Sequence, residues 1–485
     1  MVGHTLKVYT KSCTPGSKGY VWTSTGKGAY DVAEVEDVEV DFSNDLKIKE
    51  IIQKYSNFVG FPIKLNGEVV NTVEPIWTKS ANEITEEDHK AFFNQLTSSY
   101  NSPRYNLIYK ADAPLSIRSV LYIPETSPEW LGMATSQTGI NLYSRKVMIQ
   151  AKSPHLLPNW LRFISGVVDS EDIPLNLSRE ILQNGALIQK LKSVLTNRVV
   201  KWLIEEERRD PEKFELFYTQ FHMYIKEGVV TDDAHKDNLM KLLRFNSSAL
   251  DRSKKTTFQS YLDRKKPEQK SIYYLCRTFD NVEDNPYYEP FKAAGVEVMV
   301  LTEPIDEMLI QQLENFKDTP LVNIESKKAS EEIQELSPTQ LSGDRLTDED
   351  GQTLSDWIRE EYGAKLSLKT IRVSKRQSSH PALVVGHDAQ NSIYFQQLMK
   401  QSLPPGESLP LSPVTLEINT SHALIKGLFE LKQTNPQIAK DLAYQICCNA
   451  RIAAGVMEDT KPLLTSLNNL LTDLVKLKLD GVKKE

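Results

Sequence analysis

Ser165-Gly-Val-Val-Asp-Ser-Glu-Asp-Ile-Pro-Leu-Asn-Leu-Ser-Arg-Glu-Ile-Leu-Gln183 is the stretch from which the rest of the chain can be read. Pro174 fixes its own φ, and Ser178 has the chemistry of an N-cap, which places Arg179 in the first turn of a helix or short helical turn. The free N–H groups and positive dipole end of such a turn favour anions, and a guanidinium adds a forked phosphate donor. Asn176 and Gln183 stand three residues before and four after Arg179, so both can flank it on one side. An Arg delivered from one domain to a nucleotide held by another stabilises phosphoryl transfer. The alternative is that Arg179 pairs with Glu171 or Asp172 and only orders a loop. On spacing alone that alternative stands ahead.

Upstream, Thr5–Thr10, Gly19–Thr23 and Ala29–Val35 alternate as strands of a small antiparallel sheet, which needs a cover for its apolar face. A helix is expected over Lys47–Tyr55 and a hairpin turn at Asn66-Gly67. Thr85 reads as an N-cap with Asp88 in the usual place of Glu or Gln. Tyr105–Tyr109, Ser119–Ile123 and Asn141–Gln150 read as strands. Downstream, Leu187, Leu191, Val194, Leu195, Val199 and Leu203 mark a helical stripe. Ser271–Leu275 and Val296–Leu301 flank a helix near Tyr287–Ala293, a βαβ unit with a parallel pair. The polar segment 325–350 reads as a linker or surface segment. Strands follow at Ile371–Val373 and Ala382–Val385, with helix over 421–480. There Leu463, Leu464, Leu467, Leu470, Leu471 and Leu474 make a stripe wide enough to bury against a partner.

The length of 485 residues implies several domains, and 40% hydrophobic with 25% charged residues is globular composition. A net charge of −7 with interspersed signs gives no support for nucleic-acid binding. No apolar run approaches the ~18–20 residues of a membrane span. Cys13, Cys276 and Cys447–Cys448 form no C-x-x-C, and no metal-spaced Cys/His pair or H-E-x-x-H occurs, so neither a disulfide scaffold nor a metal site is expected. Cys447 and Cys448 read as buried thiols on an apolar helix. Gly26-Lys27 lacks the Gly that a phosphate loop needs five residues earlier, where Val21 stands. No self-contained enzyme is visible.

The opening stretch strongly resembles a signature of the ninety-kilodalton heat-shock chaperones. Lys54-Tyr-Ser-Asn-Phe58, Pro75-Ile-Trp-Thr-Lys79 and Glu83-Ile-Thr-Glu-Glu-Asp88 agree with that family in order. So do Asn285-Pro-Tyr-Tyr-Glu289, Pro304-Ile-Asp-Glu307, Leu416-Glu-Ile-Asn-Thr-Ser-His422 and Asn449–Ala454. The similarity spans roughly residues 5–480 and is greatest with the mitochondrial branch, the bacterial branch being near kin.

The resemblance implies an α/β and α+β multidomain chaperone that works as an ATP-driven homodimeric clamp. Residues 1–45 would be a remnant of the nucleotide-binding domain, 46–208 and 251–330 the large and small α/β parts of a middle domain joined by a helical connector at 209–250, and 331–485 an α+β dimerisation domain. By position, Arg179 would be catalytic and reach the γ-phosphate of ATP with Mg, with Asn176 and Gln183 beside it. Trp130, Leu131 and Met133 would meet unfolded client proteins; the alternative is a locally packed turn. Leu463, Leu467, Leu470, Leu471 and Leu474 would dimerise, the alternative being packing within one chain. The Asp-x-Gly-x-Gly loop and Gly-rich lid of the family's nucleotide site are missing from the sequence. ATP hydrolysis is therefore expected to be lost, or to depend on a full-length paralogue, and the first sheet to be poorly ordered or sticky. A partial sequence of an active ATPase and a dimeric scaffold without chaperone action are the rival readings. The resemblance points to the mitochondrial matrix, with the cytoplasm as alternative because no transit peptide is seen.

Overall fold

The computed structural model describes residues 5–12, 14, 16–25, 29–35, 44–71, 74–97, 102–127, 129, 139–174, 185–277, 282–283, 285–336, 345–374, 378–385, 413–456 and 461–482. It forms two compact units, Met1–Val199 and Val200–Glu485.

In the first unit the early alternation becomes β1 (Leu6–Lys11), β2 (Gly19–Ser24) and β3 (Tyr30–Val35), an antiparallel sheet in that order. Its registers align Val8 with Trp22 and Trp22 with Val32, which puts Leu6, Val8, Tyr20, Trp22, Tyr30 and Val32 on one face. Tyr30 is 64% and Val32 56% exposed. The strands are paired along their whole length, with an apolar face open among the described residues.

Helix α1 (Asp45–Tyr55) is capped by the Asn44 side chain. Strands β4 (Lys64–Leu65) and β5 (Glu68–Val69) form the hairpin expected at Asn66-Gly67, where φ is +51° and +92° as a primed two-residue turn requires. Helix α2 (Glu86–Thr97) opens on the expected box. The Asp88 N–H donates to Thr85 Oγ1 at 3.2 Å, and the Thr85 N–H to Asp88 Oδ2 at 3.0 Å.

The main sheet holds β6 (Pro103–Ala111), β7 (Ile117–Pro124), β8 (Ile140–Ser144), β9 (Val147–Ser153) and β10 (Ser165–Asp169), in the order β6-β7-β10-β8-β9. The single strand expected over 141–150 is instead the hairpin β8–β9. Arg145 and Lys146 turn it with φ of +50° and +69°, without the Asn or Gly that usually marks such a turn. Phe58, Trp77, Phe92, Tyr122 and Tyr143 pack over one face of this sheet as the core. Gly166 on β10 lies so close to β7 that a Cβ there would run into the Val120 carbonyl oxygen. Gly166→Ala is expected to cost about 3 kcal/mol through overpacking against backbone that cannot yield. Thermal unfolding reads this, and an unchanged midpoint would contradict it.

The unit boundary falls inside α3 (Ala186–Arg209), the helix that the leucine stripe predicts. In the second unit, α4 (Pro211–Thr231) starts with Pro at N1 after an Asp210 cap and buries Phe214, Phe217, Phe221 and Tyr224. A short helix α5 (Lys236–Met240) follows, then β11 (Asn246–Ser247) and α6 (Phe258–Arg264). The predicted βαβ unit is present as β12 (Ile272–Cys276), α7 (Glu289–Ala293) and β13 (Met299–Leu301), with β12 parallel to β13. Helix α8 (Pro304–Gln312), β14 (Asn315–Phe316) and β15 (Thr319–Asn323) complete a sheet ordered β11-β13-β12-β15-β14.

Where a linker is expected at 325–350, the structure has helix α9 (Lys327–Leu336), with Ala329 and Ile333 buried at helical spacing among otherwise polar residues. Helix α10 (Asp348–Tyr362) precedes β16 (Leu368–Val373), β17 (Ala382–Val385) and β18 (Val414–Ile418), a mixed sheet ordered β16-β18-β17. Helices α11 (Ala423–Thr434), α12 (Pro436–Ala453) and α13 (Lys461–Val482) close the chain. Cys447 and Cys448 are both fully buried on α12, as expected, and burial pushes the Cys447 thiol up to about 12. The whole is an α/β and α+β multidomain architecture.

Candidate functional site

Strand β10 delivers the chain to the Arg179 segment, and its last residue organises the junction. Asp169 is 7% exposed. Its Oδ2 accepts from the Trp77 indole N–H at 3.0 Å and from the Lys146 backbone N–H at 3.1 Å, while Oδ1 is buried without a hydrogen-bond partner. One carboxylate thus ties together β10, the Trp77 turn and the β8–β9 hairpin. Beyond it, the Ser170 N–H donates to the Tyr143 carbonyl at 3.1 Å, and Ser144 Oγ donates to the Ile173 carbonyl at 2.5 Å. Asp172 Oδ2 accepts from the Ser116 N–H at 2.7 Å, so this carboxylate already has a partner other than Arg179. The path is pinned up to Ile173. Arg179, Asn176 and Gln183, with Ser178, lie outside the described residues.

Burial raises the Asp169 carboxyl above its ordinary range, against the pull of the Trp77 and Lys146 hydrogen bonds. A raised folded-state value contributes stability that is present at low pH and lost as pH rises through the folded value. Asp169→Asn keeps an oxygen for both donors and carries no charge. The variant is therefore expected to lose less stability than the parent between pH 4 and 7. Denaturant midpoints across that range read the difference, and parallel pH profiles for the two proteins would contradict it.

Trp130, Leu131 and Met133 also lie outside the described residues. Before them, Glu129 takes a two-pronged bond from Arg162, Nε to Oε1 at 2.8 Å and Nη2 to Oε2 at 3.1 Å.

The leucine stripe on α13 divides between two directions. Leu463 and Leu470 are each 7% exposed, Leu463 packing into the core formed with α12. Leu467 is half-buried, and the Leu474 side chain lies outside the described residues. Leu464, Leu471 and Val475 face outward at 57%, 51% and 58% exposure, spaced i, i+7 and i+11 along one face. Sequence reasoning did not single out Val475, nor separate the two faces.

It also missed the Trp77–Asp169 bond, whose partners are 92 residues apart. Both belong to blocks already quoted, and no spacing rule joins them. Among the described residues no cluster of side chains could hold a metal, and no helix is long and apolar enough to cross a membrane.

The family model described as Hsp90 protein matches residues 65–485. The TNF receptor-associated protein 1 homolog, mitochondrial, of Dictyostelium discoideum is 42% identical, the match covering 98% of this chain and 68% of that protein. Heat shock protein 75 kDa, mitochondrial, of Rattus norvegicus is 37% identical over 97% of this chain and 69% of its own length. Chaperone protein HtpG of Desulfotalea psychrophila is 36% identical over 95% of this chain and 76% of its own. With the pinned approach to the Arg179 segment and the outward face of α13 as its structural setting, this chain belongs to the Hsp90 protein family.

Proposed function

We propose that the chain is a molecular chaperone that holds unfolded or partly folded clients as a homodimer joined through α13. Family membership across almost the whole chain carries this reading, and the outward face of Leu464, Leu471 and Val475 supports the homodimer. Suppression of aggregation of a heated model protein tests it. Loss of light scattering at equimolar chaperone is the expected result, and no effect at that dose would favour a dimeric scaffold without chaperone action.

ATP with Mg belongs to the family's cycle. The ionisable side chains of the chain itself from Asp169 to Pro174 are the carboxylates Asp169, Glu171 and Asp172, which do not suit a triphosphate without opposite charge. By the family resemblance Arg179, with Asn176 and Gln183 as its neighbours, would supply that charge to a nucleotide presented from elsewhere, including one on a full-length paralogue. Calorimetric titration with ATP separates the cases, and micromolar binding by this chain would show that it holds nucleotide by itself. The names of two of the relatives support a mitochondrial location, which imaging of a tagged protein from its native gene would check against the cytoplasm.

A further inference from the structure

In the second unit the start of α11 is closed by a histidine. His422 is the N-cap, with extended backbone, and its ring Nδ1 accepts the Leu424 N–H at 3.1 Å. The residues usual at this position are Ser, Thr, Asp and Asn, which accept through oxygen. A ring nitrogen accepts only while it carries no proton, so this cap requires the neutral imidazole with its hydrogen on Nε2. The chain around the ring is fixed. The His422 N–H donates to the Asn419 carbonyl at 3.0 Å, and the Asn419 N–H to the Pro381 carbonyl at 2.9 Å. Asn419 Nδ2 donates to the Ser378 carbonyl at 2.8 Å and the His380 carbonyl at 3.3 Å. Ser379 in turn gives its N–H, at 3.0 Å, and its hydroxyl, at 3.2 Å, to Glu289 Oε2 on α7. The His422 cap therefore closes a joint at which α11, the segment entering β17 and α7 meet.

Protonation acts on this joint in one direction. A proton on Nδ1 turns the acceptor into a donor facing the Leu424 N–H, and it sets a cation at the positive end of α11. The surroundings work the same way. Burial, and then the charge of His380 on the segment entering β17, oppose a positive ring, while a Ser379 backbone hydrogen bond offsets them in part. The imidazole is thereby held below its ordinary range. Of the other charged groups at the joint, Glu289 on α7 bonds Ser378 and Ser379, and Lys426 one turn along α11 is a further cation. We propose that His422 is an acid-sensitive clasp, in which uptake of one proton by its ring uncaps α11 and loosens the joint with the segment entering β17. A histidine whose folded-state value lies below its unfolded one contributes stability that is present above about pH 6.5 and lost as pH falls through the folded value. The clasp gives the chain a response to mild acidification.

The test compares the full chain with His422→Asn, since Asn caps as well and does not titrate. Hydrogen exchange of the amides of residues 423–428, read by mass spectrometry for both proteins at the same pH, gives a ratio of rates. The ratio is expected to be near one at about pH 7.5. At about pH 5 the parent should exchange about fivefold faster, the usual effect of losing a cap. His422→Ala should exchange fast at both pH values. His380→Ala removes the opposing charge, so the midpoint of the change should move to higher pH, which a purely structural His422 would not show. Thermal unfolding at neutral pH confirms that each variant is folded. A ratio that is the same at both pH values, or a midpoint that His380→Ala leaves unmoved, would overturn the proposal.

Discussion

Lys226→Met is expected to destabilise the second unit by about 3–5 kcal/mol, the usual cost of removing one partner from a buried ion pair. Lys226 on α4 is 3% exposed. Its Nζ stands 2.8 Å from Glu303 Oε2 and 2.6 Å from Asp306 Oδ1, at the N-terminus of α8. His222, one turn earlier on α4, places Nε2 2.8 Å from the other Glu303 oxygen. Burial works against the charge on Glu303, but the His222 hydrogen bond and the Lys226 ammonium outweigh it and hold the carboxyl at about 2. Asp306 goes the opposite way, because its 1% exposure leaves burial the stronger influence. Without the ammonium Asp306 stays buried and unneutralised, and the half-buried Glu303 is left with His222 alone. The capping box in which Asp306 Oδ2 accepts from the Glu303 N–H at 3.1 Å prevents either from moving away.

Two controls make this result specific. Adding Asp306→Asn to Lys226→Met keeps the capping oxygen and removes one stranded charge, so part of the loss should return in denaturant unfolding. Glu303 has a folded-state value below its ordinary one, so its contribution is present above about pH 4.3 and is lost as pH falls toward 2. The parent should therefore lose more stability than Lys226→Met over that acid range. Equal losses in the two proteins would show that the network is not the source.

The local features of this fold were legible wherever one residue's chemistry decides the backbone. Thr85 with Asp88, Asn66-Gly67 and the parallel pair around α7 all stand where the residues place them. The failures share one cause, which is that tertiary contact supplied what local chemistry did not. Arg145 and Lys146 adopt positive φ with neither Gly nor Asn, and the Asp169 carboxylate that accepts the Lys146 N–H comes from β10, over twenty positions on. Helix α9 hides in a polar segment because Ala329 and Ile333 suffice once a core lies beneath them. Buried networks are the extreme case, since Lys226 and Glu303 stand 77 residues apart. The candidate site shows the same division. Motif blocks point to Arg179 and to the α13 leucines, but a stripe of leucines does not reveal which of them its own chain buries.

That division on α13 leads to the second large effect. Leu471→Glu combined with Leu464→Glu should convert the proposed dimer to monomer while leaving the fold intact. Both side chains are more than half exposed in the single chain, so a charge at either costs little folding free energy. In a dimer closed through this face the same glutamates would be buried on both sides of a two-fold interface, next to their own copies, and like charges placed together cost several kcal/mol. Mass measured in solution by light scattering reads the outcome directly, with deletion of residues 455–485 as the reference for complete loss. Leu463→Glu and Leu470→Glu have the opposite signature, since those side chains are buried within the chain and their loss should lower the unfolding midpoint. A double glutamate at 464 and 471 that remains dimeric, with normal stability, would move the interface off this face of α13.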